Sequence, residues 1–405
     1  MFNTKKPIKE FGKIYDYLRD HELRTEERRG GSINVAGADF LDAEFTNVIW
    51  KNFIFRRCHF PASHTVRVAE TANCMFMNCD FGPGRKDDAL SFGKMTNGQF
   101  LKCTFTNGNV SFGRGEALFK DCTFENTTPQ KTTTWNHFIA GDNLHLVNCK
   151  FRHVSLLFGP KLHMQRCDFL TSGSGQMDPY VDYTADVILE DTLLQNAAKL
   201  LWNAKINNLT LRRCRVDGLF SAQQSVIRDS IVLEGLKVGE YEFSRTGTEK
   251  KIVIRDCHFS EVDKRSNYLF ICSADYAAEV LLERVECTNA APCNLTGASP
   301  RTTEKFRTKT TRNQIFTLRD CKIPYLLVNW LQTYHLVIEN CEFGTLELKD
   351  GRLGNVTIKN TKFETLDLSR TLAGKFEVDA PSAGRIVTAE SNYPKGGYKI
   401  DKPTK

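Results

Sequence analysis

Large apolar residues recur at every fifth position in the stretch ADFLDAEFTNVIWKNFIFRRCHF, which runs from Ala38 to Phe60. The positions two residues before them are small or apolar as well. An α-helix turns once in about 3.6 residues and a strand alternates every two, so neither keeps such side chains on one side. A chain that turns a corner after each pair of inward positions does. The pattern therefore predicts short strands separated by corners. The two sets are Phe40, Phe45, Trp50, Phe55 and Phe60, and Ala38, Ala43, Val48, Phe53 and Cys58.

A second motif recurs along the chain: a polar residue, then Cys, and an apolar residue two places later. The copies are RRCHF, MNCDF, LKCTF, KDCTF, VNCKF, QRCDF, RRCRV, RDCHF, RDCKI and ENCEF, with EDTLL, RDSIV, ERVEC and KNTKF as degenerate ones. Their central residues lie about 23 residues apart on average, a spacing typical of solenoids. Asn and Asp before the central residue suit a corner because they tolerate left-handed backbone. We interpret the central residues as equivalent: Cys58, Cys79, Cys103, Cys122, Cys149, Cys167, Thr192, Cys214, Ser230, Cys257, Val285, Cys321, Cys341 and Thr361.

Coils that stack with parallel strands about 4.8 Å apart would align these motifs. We therefore predict an all-β chain, a single-stranded right-handed parallel β-helix of about 14 coils over residues 31–390. An open end of such a solenoid exposes its interior and needs a cap. Residues 1–30 carry apolar side chains at helical spacing and predict an N-terminal α-helical cap. Residues 391–405 are polar and predict a C-terminal tail.

The 14 cysteines occupy mainly the inward motif position, where cysteine acts as a small apolar residue. Neighbours in register would point the same way, which is poor geometry for a disulfide. We expect free, buried thiols. Metal sites need Cys or His clusters at ligand spacing, and the sequence has none. No metal or cofactor is predicted.

The stretch from Ala38 to Phe60 resembles the tandem repeat of pentapeptide-repeat proteins, and strict five-residue repeats are expected in this first coil alone. The NC-x-F corner of later coils resembles that of pectate-lyase-like β-helices. Both resemblances imply a β-helix whose function lies on its outer surface. Some pentapeptide-repeat proteins are DNA-mimicking inhibitors, a role that a net charge of +7 fits poorly.

Composition favours a soluble globular protein, with 41% hydrophobic and 25% charged residues. No apolar run is long enough to predict a membrane span. The N-terminal residues show no Sec signal. We expect a cytoplasmic protein, or one exported without a Sec signal.

Two histidines, His145 and His163, each lie four residues before a motif cysteine, so they are expected to stack on adjacent coils. Two long insertions, 125–143 and 170–186, bring Asp178 and Asp182 into the same region. These four residues are the candidates for acid–base chemistry if the chain is an enzyme. No catalytic residue is assigned, because no motif fixes a third group.

Basic residues are common at the corners, but acids alternate with them, which favours a solvated, self-neutralising edge over a track for polyanions. The densest basic cluster lies in one insertion and comprises Arg301, Lys305, Arg307, Lys309 and Arg312.

The sequence has no Walker loop, nucleophile elbow or HExxH motif. The leading hypothesis is a non-catalytic interaction solenoid that binds a protein or a polyanion such as nucleic acid. Its binding residues would be the basic cluster together with Trp135, Tyr180 and Tyr183. The alternative is a carbohydrate-active β-helix enzyme, a polysaccharide lyase or hydrolase.

Overall fold

The computed structural model describes residues 32–40, 45–60, 66–82, 89–107, 109–127, 138–170, 177–179, 185–195, 201, 204–221, 225–243, 248, 250–260, 270–272, 277–288, 291–295, 313–379, 382–388 and 399–400. Within these ranges the chain forms strands and no helix. The predicted capping helix lies outside them, as does the predicted tail except for its last short strand. The chain divides into two compact units, Met1–Ala197 and Ala198–Lys405.

Eighteen strands belong to the first unit. They are β1 (Ile33–Ala36), β2 (Phe45–Lys51), β3 (Phe53–Arg56), β4 (His59–Phe60), β5 (Val66–Ala72), β6 (Met75–Met77), β7 (Asp80–Phe81), β8 (Ala89–Leu101), β9 (Thr104–Thr106), β10 (Asn109–Lys120), β11 (Thr123–Glu125), β12 (Phe138–Val147), β13 (Lys150–Arg152), β14 (Ser155–Gln165), β15 (Asp168–Leu170), β16 (Met177–Pro179), β17 (Asp186–Glu190) and β18 (Leu193–Gln195).

The second unit contains the remaining strands. They are β19 (Lys205–Arg212), β20 (Arg215–Ser221), β21 (Val226–Glu234), β22 (Lys237–Phe243), β23 (Lys251–Arg255), β24 (His258–Phe259), β25 (Phe270–Cys272), β26 (Glu279–Glu283), β27 (Glu286–Cys287), β28 (Cys293–Asn294), β29 (Asn313–Arg319), β30 (Lys322–Leu327), β31 (Gln332–Glu339), β32 (Glu342–Glu347), β33 (Arg352–Lys359), β34 (Lys362–Asp367), β35 (Leu372–Asp379), β36 (Ser382–Val387) and β37 (Lys399–Ile400).

Strands pair in parallel with the strands one coil before and after. In the first unit β11 lies between β9 and β13, which places Phe124 beside Phe105 and Phe151. In the second unit β32 lies between β30 and β34, which places Phe343 beside Ile323 and Phe363. The chain is a parallel β-solenoid of about 12 turns. The predicted number of 14 coils is not confirmed.

The corner before every predicted motif position except Ser230 has left-handed backbone, as predicted from the Asn and Asp residues there. The φ angles of these corner residues lie between 46° and 56°. Such φ values cost little for Asn and Asp, whose short polar side chains can bond locally. Arg and Lys also occupy these corners. The residues are Arg57, Asn78, Lys102, Asp121, Asn148, Arg166, Asp191, Arg213, Asp256, Arg284, Asp320, Asn340 and Asn360.

One predicted motif copy is misplaced. Ser230, a predicted motif position, lies instead within β21, in register with Asn208 and Lys251. The corner of that coil is Gly235, with a φ of 64°, and the inward residue after it is Leu236, which is fully buried. Gly235 replaces Asn as the left-handed residue and Leu236 replaces Cys. This copy therefore lacks the Asn-Cys pair by which other copies are recognised.

Aromatic rings and thiols form separate internal ladders in the first unit. The rings of Phe105 and Phe124 lie 4.7 Å apart, and those of Phe124 and Phe151 lie 4.8 Å apart, both stacked. Thirteen cysteines of the described residues are free and buried, as expected. Burial raises the pKa of Cys103 and raises that of Cys257 to about 12. The raised pKa keeps Cys103 and Cys257 neutral, so these two thiols serve as packing groups.

The expectation that strict five-residue repeats are confined to the first coil is wrong. From Phe316 to Val378 every fifth residue is buried, and so is the residue two places before it. Left-handed corners recur there every ten residues, from Asp320 to Arg370. The pattern is hard to recognise in the sequence because most of its inward residues are not aromatic. The central residues are Leu318, Ile323, Val328, Thr333, Ile338, Phe343, Leu348, Leu353, Ile358, Phe363, Leu368, Ala373 and Val378.

Candidate functional site

The two predicted histidines do meet on the outside of the first unit. β12 and β14 pair with His145 in register with His163, and the imidazole rings are stacked with centroids 4.7 Å apart. His163 Nε2 lies 3.3 Å from Glu190 Oε2 on the next coil. The group therefore consists of two imidazoles and one carboxylate. Glu190 was missed, although its place two residues before Thr192 in the motif copy EDTLL could have indicated it.

The predicted partner Asp178 is not placed beside either histidine. β16 pairs with β14 so that Asp178 is in register with Leu157, six residues before His163. The coil neighbour of His163 is instead Ile188 on β17. Three further candidates, Asp182, Tyr180 and Tyr183, lie outside the described residues, as does Trp135.

A polar groove adjoins the histidine pair. Near Gly115 a β-bulge shifts the register of β10 with both neighbouring strands, β8 and β12. Such bulges redirect side chains and are common near binding sites. The groove has a volume of about 360 Å³, and one of its walls, Leu118, is in register with His145. Its lining residues are Asn73, Cys74, Met75, Asn97, Gly98, Gln99, Glu116 and Leu118.

Among its described lining residues this groove offers hydrogen-bonding amides and one carboxylate, that of Glu116. Catalysis on a glycosidic bond commonly uses two carboxyl groups that flank the bond. Glu190 is held by His163 and stands on another coil. The arrangement can bind polar groups, and it does not present paired acids among the described lining residues.

Acid should weaken the first unit through His145. Desolvation of its ring, followed by the positive charges of His163 and Lys161, lowers the pKa of His145. Its unfolded pKa is about 6.5, so the unfolded chain takes up this proton first as the pH falls. The stabilisation that the neutral ring provides is complete above about pH 6.5 and is lost as the pH falls towards the lower folded pKa. We expect His145→Gln to reduce this loss, measured as the urea midpoint against pH.

The matched control is His335→Gln in the second unit, where the ring contacts Asn355 rather than another histidine. That variant measures how far the loss of an exposed imidazole alone changes the urea midpoint. A His145→Gln protein whose urea midpoint follows the wild-type curve would contradict the prediction.

Charges on the second unit neutralise one another along one edge. The last residues of β19, β21, β23, β26, β29, β31, β33 and β35 are in register and alternate in sign. Arg255 Nε lies 2.9 Å from Glu283 Oε2, and Arg319 Nε lies 3.4 Å from Glu339 Oε2. The predicted self-neutralising edge is confirmed here. In coil order the residues are Arg212, Glu234, Arg255, Glu283, Arg319, Glu339, Lys359 and Asp379.

The adjoining corner residues pair as well. Arg284 donates two hydrogen bonds to Asp256, from Nε at 2.5 Å and from Nη2 at 3.1 Å. The Arg284 guanidinium holds the pKa of Asp256 below its usual range. Exposed pairs of this kind contribute little to stability, but they leave few corner charges available to a polyanion.

A different surface of the second unit exposes large apolar side chains, and we name it the aromatic face. It comprises the outward positions of three successive coils: Trp330, Gln332 and Tyr334; Asp350, Arg352 and Gly354; and Arg370, Leu372 and Gly374. Trp330 is 44% exposed, Tyr334 50% and Leu372 43%. Sequence reasoning missed this face because Trp330 and Tyr334 look like core aromatics.

Local backbone explains why these side chains point outward. Trp330 occupies a left-handed corner with a φ of 59°, equivalent to Asp350 and Arg370 on the following coils. The inward positions on either side of it belong to Val328 and Leu331, which are fully buried. The five-residue pattern therefore leaves Trp330 no inward place.

The predicted basic binding cluster, Arg301 to Arg312, lies outside the described residues and stays a prediction. Among the described residues, no group of three or more His, Cys, Asp or Glu side chains is placed to bind a metal ion. No helix among the described residues could cross a bilayer.

No family model matches this chain, and no curated protein matches it. One solved structure is similar, that of trypsin-treated QnrB1, described as a plasmid-mediated fluoroquinolone resistance protein. The two are 14% identical, the match covers 64% of this chain and 92% of that chain, and the TM-score is 0.17. A match of this quality carries no argument about function. The coils themselves support the fold: the chain is a parallel β-solenoid that carries inward pairs at five-residue spacing from Phe316 to Val378.

Proposed function

We propose that this chain is a non-catalytic interaction solenoid whose aromatic face binds a protein partner. The observation that carries the proposal is the contrast between two surfaces of the second unit. Charges along one edge are paired coil by coil, whereas Trp330, Tyr334 and Leu372 remain exposed on the aromatic face. Contiguous exposed apolar side chains are typical of interaction sites.

The composition of the aromatic face suits a protein partner. Trp, Tyr and Arg are the residues most enriched among those that dominate binding energy at protein interfaces. Trp330 and Tyr334 lie on one coil, and the exposed Arg352 lies on the next coil. Gly354 and Gly374 follow Tyr334 on successive coils, where a Cβ would lie 2.5 Å and 2.9 Å from the carbonyl oxygen of the coil before. These two coils therefore place no side chain next to Tyr334.

Two other hypotheses receive less support. A polyanion would need unpaired basic groups, and the paired edge does not supply them. The basic cluster from Arg301 to Arg312 remains a proposed second contact. A carbohydrate-active enzyme would need paired acids, which the groove beside His145 lacks in its described lining. Free thiols suit a reducing compartment, so we propose the cytoplasm as the location.

The test compares partner capture by three full-length forms from the native cell, with nuclease present: wild type, Trp330→Ser/Tyr334→Ser and Ile49→Ser. Ile49 is the matched control because it is an exposed apolar side chain in the other unit, 56% exposed. We expect one protein to be retained by the wild type and the control and lost by the double variant. With the purified partner, the double variant should raise Kd by about 30-fold or more, which corresponds to about 2 kcal/mol.

Three results would contradict the proposal. If the double variant captures the partner as well as the wild type does, the aromatic face is not the binding site. Capture by the wild type that nuclease abolishes would indicate a polyanion. Cleavage of a polymeric sugar by the wild type, abolished in His163→Gln, would indicate an enzyme.

A further inference from the structure

Two cysteines of the second unit depart from the thiol ladder. Cys287 ends β27 and is in register with Phe259, while Cys293 begins β28 and is in register with Leu326. Both thiols are buried. They therefore occupy inward positions of two consecutive strands within a single coil, and not the motif position that other cysteines share.

This placement changes their geometry. Ladder cysteines follow one another on successive parallel strands, so their side chains point the same way, which disfavours an S–S bond. Inward side chains on consecutive strands of one coil converge on the interior instead. The Sγ atoms of Cys287 and Cys293 lie 3.3 Å apart and share a hydrogen bond.

The neighbouring coils carry larger residues at the same positions, including Phe259 and Leu326. Two small cysteines between them leave a void of about 10 Å³, and both cysteines line it together with those two residues and Ile323. A disulfide needs a sulfur separation of about 2.05 Å. The void borders both cysteines, which gives their side chains room to turn towards each other.

We propose that Cys287 and Cys293 are an oxidation site, at which hydrogen peroxide converts the two thiols into an intracoil disulfide. Contact with the Cys293 thiol, followed by burial, raises the pKa of Cys287. A raised pKa disfavours the Cys287 thiolate, so we assign the first reaction with peroxide to Cys293, the other sulfur of the hydrogen-bonded pair.

The oxidation takes place in two steps. The Cys293 thiolate attacks one peroxide oxygen, the O–O bond breaks, and the departing hydroxide takes up the proton that Cys293 has released, giving sulfenic acid and water. Cys287 sulfur then attacks the sulfenic sulfur. The S–S bond forms, the S–O bond breaks, and the hydroxide leaves with the Cys287 proton as a second water. Two thiols are oxidised and one peroxide is reduced.

The sequence makes the test direct, because trypsin releases Val285–Arg301 as one peptide with these two cysteines and no other. Reduced full-length protein is treated with peroxide, unfolded and alkylated with iodoacetamide. It is then reduced and alkylated with N-ethylmaleimide. We expect both cysteines of this peptide to carry the second label, while Cys103 and Cys149 carry the first.

The single variants test the order of reaction. In Cys287→Ser, peroxide with dimedone should leave a dimedone adduct on Cys293, because the sulfenic acid has no resolving partner. In Cys293→Ser, Cys287 should remain largely unmodified. Recovery of both wild-type thiols with the first label, their pairing with Cys321, or a dimedone adduct on Cys287 alone would overturn the proposal.

Discussion

Phe151→Ala is expected to lower the free energy of unfolding by about 3–5 kcal/mol. The Phe151 side chain is fully buried. Its ring stacks on that of Phe124 with centroids 4.8 Å apart, and the tilted ring of Phe169 lies 5.4 Å away on the other side. Its neighbours are fixed by parallel strands on both sides, so they cannot collapse into the space that the ring leaves. Equilibrium urea unfolding measures the loss.

Ile49→Ala is the matched control for Phe151→Ala, since it removes a large apolar side chain that is mostly exposed in the same unit. Its effect should stay within about 0.5 kcal/mol, as for other surface changes. Equal losses of unfolding free energy in the two variants would show that Phe151 is not a core residue.

Gly115→Ala is expected to cost about 3 kcal/mol or more. Gly115 has a φ of 128°, a conformation that side chains rarely allow. A Cβ there would lie 1.7 Å from the carbonyl oxygen of Met95 on the neighbouring strand. That atom belongs to the paired backbone and cannot rotate away. The urea midpoint should fall, and the bulge beside the groove should be lost.

Gly351→Ala controls for the general effect of replacing glycine. A Cβ at Gly351 would meet its nearest neighbours at 3.4 Å, an ordinary contact. Because alanine restricts the unfolded chain, this variant should be neutral or up to about 1 kcal/mol more stable. A Gly115→Ala protein as stable as Gly351→Ala would show that the bulge tolerates a side chain.

The features predicted well were those in which one residue type serves one position. Asn and Asp at corners predicted left-handed backbone, as at Asn78 and Asp121. The shared distance of His145 and His163 from their motif cysteines predicted the stacked rings. Alternating signs predicted the paired edge. In each case a local preference and the coil geometry require the same residue.

The features missed were those in which several residue types serve equally well. Gly235 and Leu236 fill a corner and an inward position as well as Asn and Cys do, so Ser230 was chosen in error. Aliphatic residues fill the inward sites of the last coils as well as Phe does. Glu190 and Trp330 depend on which coils are neighbours, and unequal coil lengths hide that information in the sequence.

The alternating edge also restricts how a solenoid of this kind can change in length. Arg319, Glu339, Lys359 and Asp379 stand one coil apart in strict alternation. Deleting the coil from residue 340 to 359 would place Glu339 against Asp379, and duplicating it would place two copies of Lys359 side by side. Loss or gain of two coils together preserves every pairing of opposite charges. Gene duplication in this segment is therefore tolerated best in steps of two coils, about 40 residues.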